Sequence, residues 1–272
     1  MTRLTALRIA RAGLLLASGL CLTAAPASAA DKPEPPKPTA HEDRVMEGWP
    51  VHVDKRLLEG PDTELGAGAL KLLSARLADI ARLMAPDRLV KLREAPIWLD
   101  LTHGKLKSMQ YHPSAGWLRD NGYATELSKC VHIPDAAGFV SPHHQHRQPW
   151  STLHELAHAY HDRVLGFEEP RIKAAWKQAV ESKRYDKVLL INGRETRHYA
   201  LTDQKEFFAE MTESYFGMND FFPYNRSELL RENPEVHALL TEVWGPVPDP
   251  AEAPGERRKG DRKESGAAPA NH

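Results

Sequence analysis

The sequence has few cysteines, no excess of charge of one sign and no long hydrophobic run, and each absence excludes a class of protein. Two cysteines in 272 residues, Cys21 and Cys130, exclude a disulfide-rich scaffold. A formal net charge of −1 argues against binding nucleic acid by wholesale phosphate neutralisation, so we expect no nucleic-acid partner. No segment is apolar over the ~18 residues that a membrane-spanning helix needs, so we expect no stable membrane insertion.

The first 30 residues have the pattern of a cleavable signal peptide. Three arginines precede an apolar run over residues 12–25, and small residues at 27–29 supply a cleavage pattern. The alternatives are a buried N-terminal helix and a lipoprotein signal centred on Cys21. We therefore expect an exported protein, secreted into the medium or periplasmic.

Composition divides the remaining chain into three parts. Residues 31–45 begin with four prolines in ten residues and predict an extended tether. Residues 46–245 carry enough apolar side chains for one sizeable core. Residues 246–272 combine proline, alanine and mixed charge, which predicts a disordered tail. We expect a monomer.

Hydrophobic periodicity predicts an α+β domain. The predicted strands are 49–58, 97–99 and 130–133, with a small hairpin formed by 188–191 and 196–200. The predicted helices are 65–84, 151–165, 170–182, 203–216 and 227–244, the last with a break near Pro234. Residues 142–149 are interpreted as a loop. We expect a small twisted sheet, with helix 151–165 beneath its edge and a mainly helical C-terminal part.

The segment 153–161, LHELAHAYH, contains the pattern HExxH. On a helix, His154 and His158 project from one face, and a single Zn²⁺ can bind both imidazoles. Glu155 points away from that face and is a candidate general base for a water molecule that the zinc activates. The alternatives are an amphipathic helix that carries these residues by chance, and a capping box in which Glu155 pairs with Thr152.

A catalytic zinc site needs a third protein ligand. The metzincin spacing fails at His161 and Val164, and the thermolysin-like spacing places Gln178 where a glutamate is needed. The better candidate is Glu206, because Glu206, Glu210 and Glu213 fall at i, i+4 and i+7 of the predicted helix 203–216 and share a face. The alternative is an ordinary solvated acidic face.

The combination of HELAHAYH, Tyr199 and an EFFAE motif that begins seven residues after that tyrosine resembles a family of gluzincin metallopeptidases. This family includes the anthrax lethal factor catalytic domain and the secreted Pro-Pro endopeptidases. The resemblance covers about residues 151–216 and implies a zincin-like metallopeptidase domain. It implies one Zn²⁺ per chain, bound by His154, His158 and Glu206, with Glu155 as base. It further implies that Tyr199 stabilises the oxyanion and that Glu210 supports a ligand imidazole.

The activity implied is that of a zinc endopeptidase with a peptide or protein substrate. Two alternatives remain: a non-catalytic zinc-bearing domain that holds a peptide, and a hydrolase of another amide such as cell-wall peptide. A second metal site formed by the cluster His143, His144 and His146 is a further alternative to polar residues that line a cleft. We expect His161 to face solvent or to be hydrogen-bonded. Cys130 is expected to be a buried strand residue, the alternative being a thiolate that caps the metal in a latent form.

Overall fold

The computed structural model describes residues 33–247. The predicted signal peptide over residues 1–30 and nearly all of the predicted tail over residues 246–272 lie outside the described residues. The described part combines a small mixed sheet with many helices. None of its helices is long and apolar enough to cross a membrane.

Seven strands and ten α-helices make up the described chain. The strands are β1 (His41–Met46), β2 (Trp49–Asp54), β3 (Ile97–Leu99), β4 (Gln110–Tyr111), β5 (Val131–Ile133), β6 (Val188–Leu189) and β7 (Glu195–Thr196). The helices are α1 (Thr63–Leu83), α2 (Pro86–Leu92), α3 (Ala115–Asp120), α4 (Ala136–Val140), α5 (Pro142–Arg147), α6 (Ser151–Tyr160), α7 (Pro170–Ser182), α8 (Gln204–Phe216), α9 (Arg226–Glu232) and α10 (Pro234–Trp244). Short 3₁₀ helices form at Lys55–Leu57, Thr125–Leu127 and Tyr199–Leu201.

The main sheet has five strands in the order β1-β2-β3-β5-β4. Strands β2, β3 and β5 run parallel, whereas β1 and β4 are antiparallel edge strands. The side chains of Ile97, Leu99 and Val131 are buried in the core, which agrees with the short apolar runs that predicted β3 and β5. Helix α6 contacts both β4 and β5, so it lies at the edge of the sheet that β4 forms.

The sequence predictions of the longer elements are confirmed, and those of the short ones are partly wrong. Strand β1 begins at His41 and pairs with β2 along its whole length, so the predicted tether extends too far: residues 41–45 belong to the sheet. Residues 142–147 form helix α5 and not a loop. The predicted hairpin is confirmed as β6 and β7, but Tyr199 lies in a 3₁₀ helix and not in the second strand.

His161 directly follows helix α6 and is buried, which contradicts the expectation that it faces solvent or is hydrogen-bonded. Helix α6 continues as one π-helical turn over His161–Leu165. The imidazole of His161 is fully excluded from solvent and packs against Phe167 and Phe208. Neither ring nitrogen has a hydrogen-bond partner within residues 33–247. Burial, reinforced by His158, lowers the pKa of His161 to about 4.

We expect a His161→Leu variant to resist acid better than the parent. Above pH 6.5, the ordinary pKa of histidine, the ring is neutral in both the folded and the unfolded chain. As the pH falls towards about 4, only the unfolded chain gains this proton, so the folded state loses about 2 kcal/mol by pH 5 and about 3 kcal/mol by pH 4. Urea unfolding at pH 7.5 and pH 5, with chelator present throughout, measures the effect. An equal loss of stability in both proteins would contradict it.

Candidate metal centre

Helices α6 and α8 pack against one another and bring together residues that lie about 50 positions apart in sequence. Trp150 occupies the N-cap position of α6, so the helix begins at Ser151 and Thr152 does not cap it. The capping-box alternative for Glu155 is therefore excluded. Gly217 ends α8, and a Cβ atom at this position would overlap the Trp150 ring. A glycine is thus needed here because the two helix ends approach closely.

Three ligand-type atoms converge between the two helices. The Nε2 atoms of His154 and His158 lie 3.1 Å apart, and Glu206 Oε2 lies 3.2 Å from the first and 3.4 Å from the second. Ligands that bind zinc tetrahedrally at 2.0–2.1 Å lie about 3.3 Å from one another. The three atoms therefore form the triangle that one zinc ion requires, and two imidazole nitrogens with one carboxylate oxygen are a donor set that suits zinc.

Helix α8 is buried on all sides, which rules out the alternative of a solvated acidic face. Asp203 caps the helix, and its Oδ1 accepts hydrogen bonds from the backbone N–H groups of Lys205 and Glu206. This cap fixes the first turn, from which Glu206 reaches the two imidazoles. Glu210 and Glu213 follow on the same face and are only 3% and 4% exposed.

Glu213 is the carboxylate that orients His154, a role that the sequence had led us to expect of Glu210. Glu213 Oε1 lies 2.7 Å from His154 Nδ1, whereas Glu210 Oε1 lies 3.7 Å from the same atom. An N–H of the ligand imidazole that donates to a carboxylate fixes the tautomer and leaves Nε2 free for the metal. Glu210 lies next to this pair, and its Oε2 has no hydrogen-bond partner among the described residues.

A Glu213→Gln variant is expected to bind zinc about 10–100-fold more weakly than the parent, because the orienting carboxylate is lost. Glu210→Gln is the matched control, since it makes the same chemical change one helical turn earlier in α8. Its zinc affinity should change less. Competition with a chromogenic chelator measures both affinities. A larger loss in the Glu210 variant would restore the role expected from the sequence.

The buried carboxyl groups around the triangle have different pKa values. Burial opposes ionisation of Glu206, but the imidazoles of His154 and His158 hold its pKa well below the usual range. Burial and the neighbouring charge of Glu213 raise the pKa of Glu210 well above that range. The same two causes raise the pKa of Asp220 to about 7. Glu206 therefore remains ionised between the two imidazoles.

Glu155 lies beside the triangle without belonging to it. Its Oε2 accepts a hydrogen bond of 2.7 Å from the backbone N–H of Tyr111 in edge strand β4. Burial raises its pKa, against the opposing effect of the two histidines. A carboxylate with a raised pKa next to a metal site is suited to accept and return a proton.

Tyr199 lines the same cleft as Glu155 and Glu206. Its 3₁₀ helix packs against α8, and its side chain is 47% exposed. Partial burial, with the nearby charge of Glu206, raises the pKa of its hydroxyl. The hydroxyl therefore remains protonated at neutral pH and can donate a hydrogen bond into the cleft.

The cleft that holds these residues has a volume of ≈ 790 Å³. His143 and His144 line it together with the site residues, and His144 Nε2 lies 3.1 Å from Ser151 Oγ. Neither they nor His146 belong to any group of converging ligand atoms found in residues 33–247.

Asp162, one turn beyond His158, accepts a hydrogen bond from the Tyr111 hydroxyl. Cys130 is buried, as expected, but it lies in the bend that directly precedes β5 and not in the strand.

Comparison of the chain with models of protein families, with curated proteins and with solved structures finds no match.

Proposed function

We propose that the protein is a zinc-dependent endopeptidase with a zincin-like α+β domain, related to the gluzincin metallopeptidases and exported by its N-terminal segment. The observation that carries this proposal is the triangle of His154, His158 and Glu206 with Glu155 beside it. A binding domain has no chemical use for a buried carboxylate with a raised pKa next to a metal triad. Bound zinc would polarise the substrate carbonyl and lower the pKa of a water molecule towards about 7.

The residues around the triangle supply the other steps of peptide hydrolysis. Glu155 accepts the proton of the attacking water and passes it to the leaving amine. Tyr199 donates a hydrogen bond to the carbonyl oxygen as negative charge develops on it. Glu213 holds His154 in the tautomer that binds metal through Nε2.

Strand β4 supports a peptide as the substrate. It is an edge strand of the main sheet, and Met109, Gln110 and Tyr111 line the cleft. An edge strand offers backbone groups to an extended peptide. A peptide bound alongside β4 would lie next to Glu155, because the backbone N–H of Tyr111 in this strand donates a hydrogen bond to the Glu155 carboxylate.

Hydrolysis of a quenched fluorescent peptide library, with and without chelator, tests the proposal. We expect cleavage that chelator abolishes and added Zn²⁺ restores, in proportion to the zinc bound. Peptides that bind without being cut would favour the non-catalytic binding domain. Cleavage of cell-wall peptide alone would favour the other amide hydrolase. Cleavage that resists chelator would exclude the zinc mechanism.

Replacing Tyr199 with phenylalanine should lower kcat about 10²–10³-fold, because one donor to the developing oxyanion is lost. KM and zinc content should change little, since the triangle of His154, His158 and Glu206 is complete without the hydroxyl. Steady-state kinetics with a single cleaved peptide separates the two constants. Tyr224→Phe, which removes a hydroxyl bound to the backbone of Leu189, is the control. A Tyr199 variant with unchanged kcat would remove this residue from the mechanism.

A further inference from the structure

A second group of ligand-type side chains lies in the main sheet, and none of its members lines the cleft. Asp100 directly follows β3, His132 is the central residue of β5, and His103 begins a tight turn that is closed by a bridge to Leu106. Asp100 and His132 are fully buried, and His103 is nearly so. One ligand atom from each of the three residues lies within 4.8 Å of the others.

The two imidazoles converge on one carboxylate oxygen. Asp100 Oδ2 lies 2.6 Å from His103 Nδ1 and 2.8 Å from His132 Nε2. Ligands of one zinc ion lie about 3.3 Å apart, so shifts of roughly 0.5 Å outward would admit a metal between these three atoms. The ligand atoms come from the end of one parallel strand, from its neighbour and from the loop between them, so the backbone of the sheet already holds them together.

Two further histidines lie within hydrogen-bond distance of the second polar atoms of His132 and Asp100. His112 Nε2 lies 3.1 Å from His132 Nδ1, and His41 Nε2 lies 2.7 Å from Asp100 Oδ1. Metal ligands typically have such partners, which fix the direction of the ligand atom. Trp117 stacks on His112 and on Tyr123, so these aromatic rings separate the group from solvent on the side of His112.

Asp100 has no partner with a permanent positive charge in residues 33–247, where its ion-pair partners are all histidines. Its side chain is fully buried, and a buried carboxylate is normally paired with a cation or bound to a metal. A divalent cation bound by this carboxylate and two imidazoles would supply that partner.

We propose that Asp100, His103 and His132 form a second, structural metal site that binds Zn²⁺, distinct from the site at His154, His158 and Glu206. The metal would link β3 to β5. Through His112, which directly follows β4, it would also hold the edge strand whose Tyr111 N–H binds Glu155. The second site thus stabilises the strand next to the proposed base without taking part in the reaction.

Zinc stoichiometry of the full chain tests this proposal. The protein is stripped with chelator, loaded with Zn²⁺, desalted, and its zinc counted by atomic emission. We expect two equivalents in the parent, one in His154→Ala/His158→Ala, and none when His103→Ala is added to that double variant. His146→Ala, which removes an exposed histidine of α5, should leave every count unchanged.

If a variant is too unstable for its zinc to be counted, the shift of its Tm on addition of Zn²⁺ provides a second measurement. Zn²⁺ should raise the Tm of the His154→Ala/His158→Ala protein, and this shift should disappear when His103→Gln is added. If the double variant binds no zinc and its Tm does not change when Zn²⁺ is added, the group is a hydrogen-bonded network around a buried carboxylate, and the proposal is wrong. A parent protein that binds only one equivalent, which is lost in His103→Ala and kept in His154→Ala/His158→Ala, would instead refute the proposed function and leave the second site standing.

Discussion

Replacing Glu155 with glutamine is expected to reduce peptide hydrolysis by about 10²–10⁴-fold, the contribution typical of a general base. Zinc content should not change, because Glu155 is not among the converging ligand atoms. The glutamine side-chain oxygen can still accept the hydrogen bond from the Tyr111 N–H, so the cleft should keep its shape. The loss should appear in kcat and only weakly in KM.

Glu181→Gln is the matched control for this prediction. It makes the same chemical change on the exposed side of α7, away from the cleft, and should leave kcat unaltered. Kinetics and zinc counts on the same preparations separate a lost base from a lost metal. A Glu155→Gln enzyme that hydrolyses peptide at the parent rate would remove the proposed base from the mechanism.

The long elements could be predicted because their signals are local. Helix α7 agrees with the predicted bounds, and α8 begins one residue later than predicted because Asp203 is its cap. Strand β4 and helices α2 to α5 are two to seven residues long and carry no readable period. None of the side chains of strand β1 is fully buried and its sequence HEDRVM has no apolar alternation, so only its pairing with β2 defines it as a strand.

The residues of the candidate site also divide into those that a local spacing predicts and those that it does not. His154, Glu155 and His158 lie within one helical turn, so their spacing alone predicts their arrangement. Which of Glu210 and Glu213 lies closer to His154 Nδ1 depends on the angle at which α8 crosses α6. The spacing of residues along one helix does not predict this angle. The sequence did place both on one face with Glu206.

The group around Asp100 has almost no sequence signal. Its ligands and their partners come from five separate chain positions, of which only Asp100 and His103 lie within one turn of chain. They meet because β1, β3 and β5 lie in one sheet, with β4 at its edge. His132 lies in the predicted strand 130–133, and no spacing in the sequence connects it with Asp100 or His103.

A Glu206→Gln variant should lose both the metal at the cleft and the hydrolysis of peptide. The carboxylate is the only negatively charged atom group in the triangle with His154 and His158, and a neutral amide is a poor ligand for zinc. Zinc affinity should therefore fall by more than the ~10–100-fold expected for an orienting partner such as Glu213. The loss should be measured as zinc bound in competition with a chromogenic chelator.

The Glu206→Asp variant distinguishes charge from reach in this prediction. Aspartate keeps the negative charge but is one methylene shorter, so it should recover part of the zinc affinity while remaining weaker than the parent. Glu181→Gln again serves as the control for the change from carboxylate to amide. If Glu206→Gln keeps both the cleft zinc and the hydrolysis, the third ligand is another residue, and the geometry of the triangle would be a coincidence of helix packing.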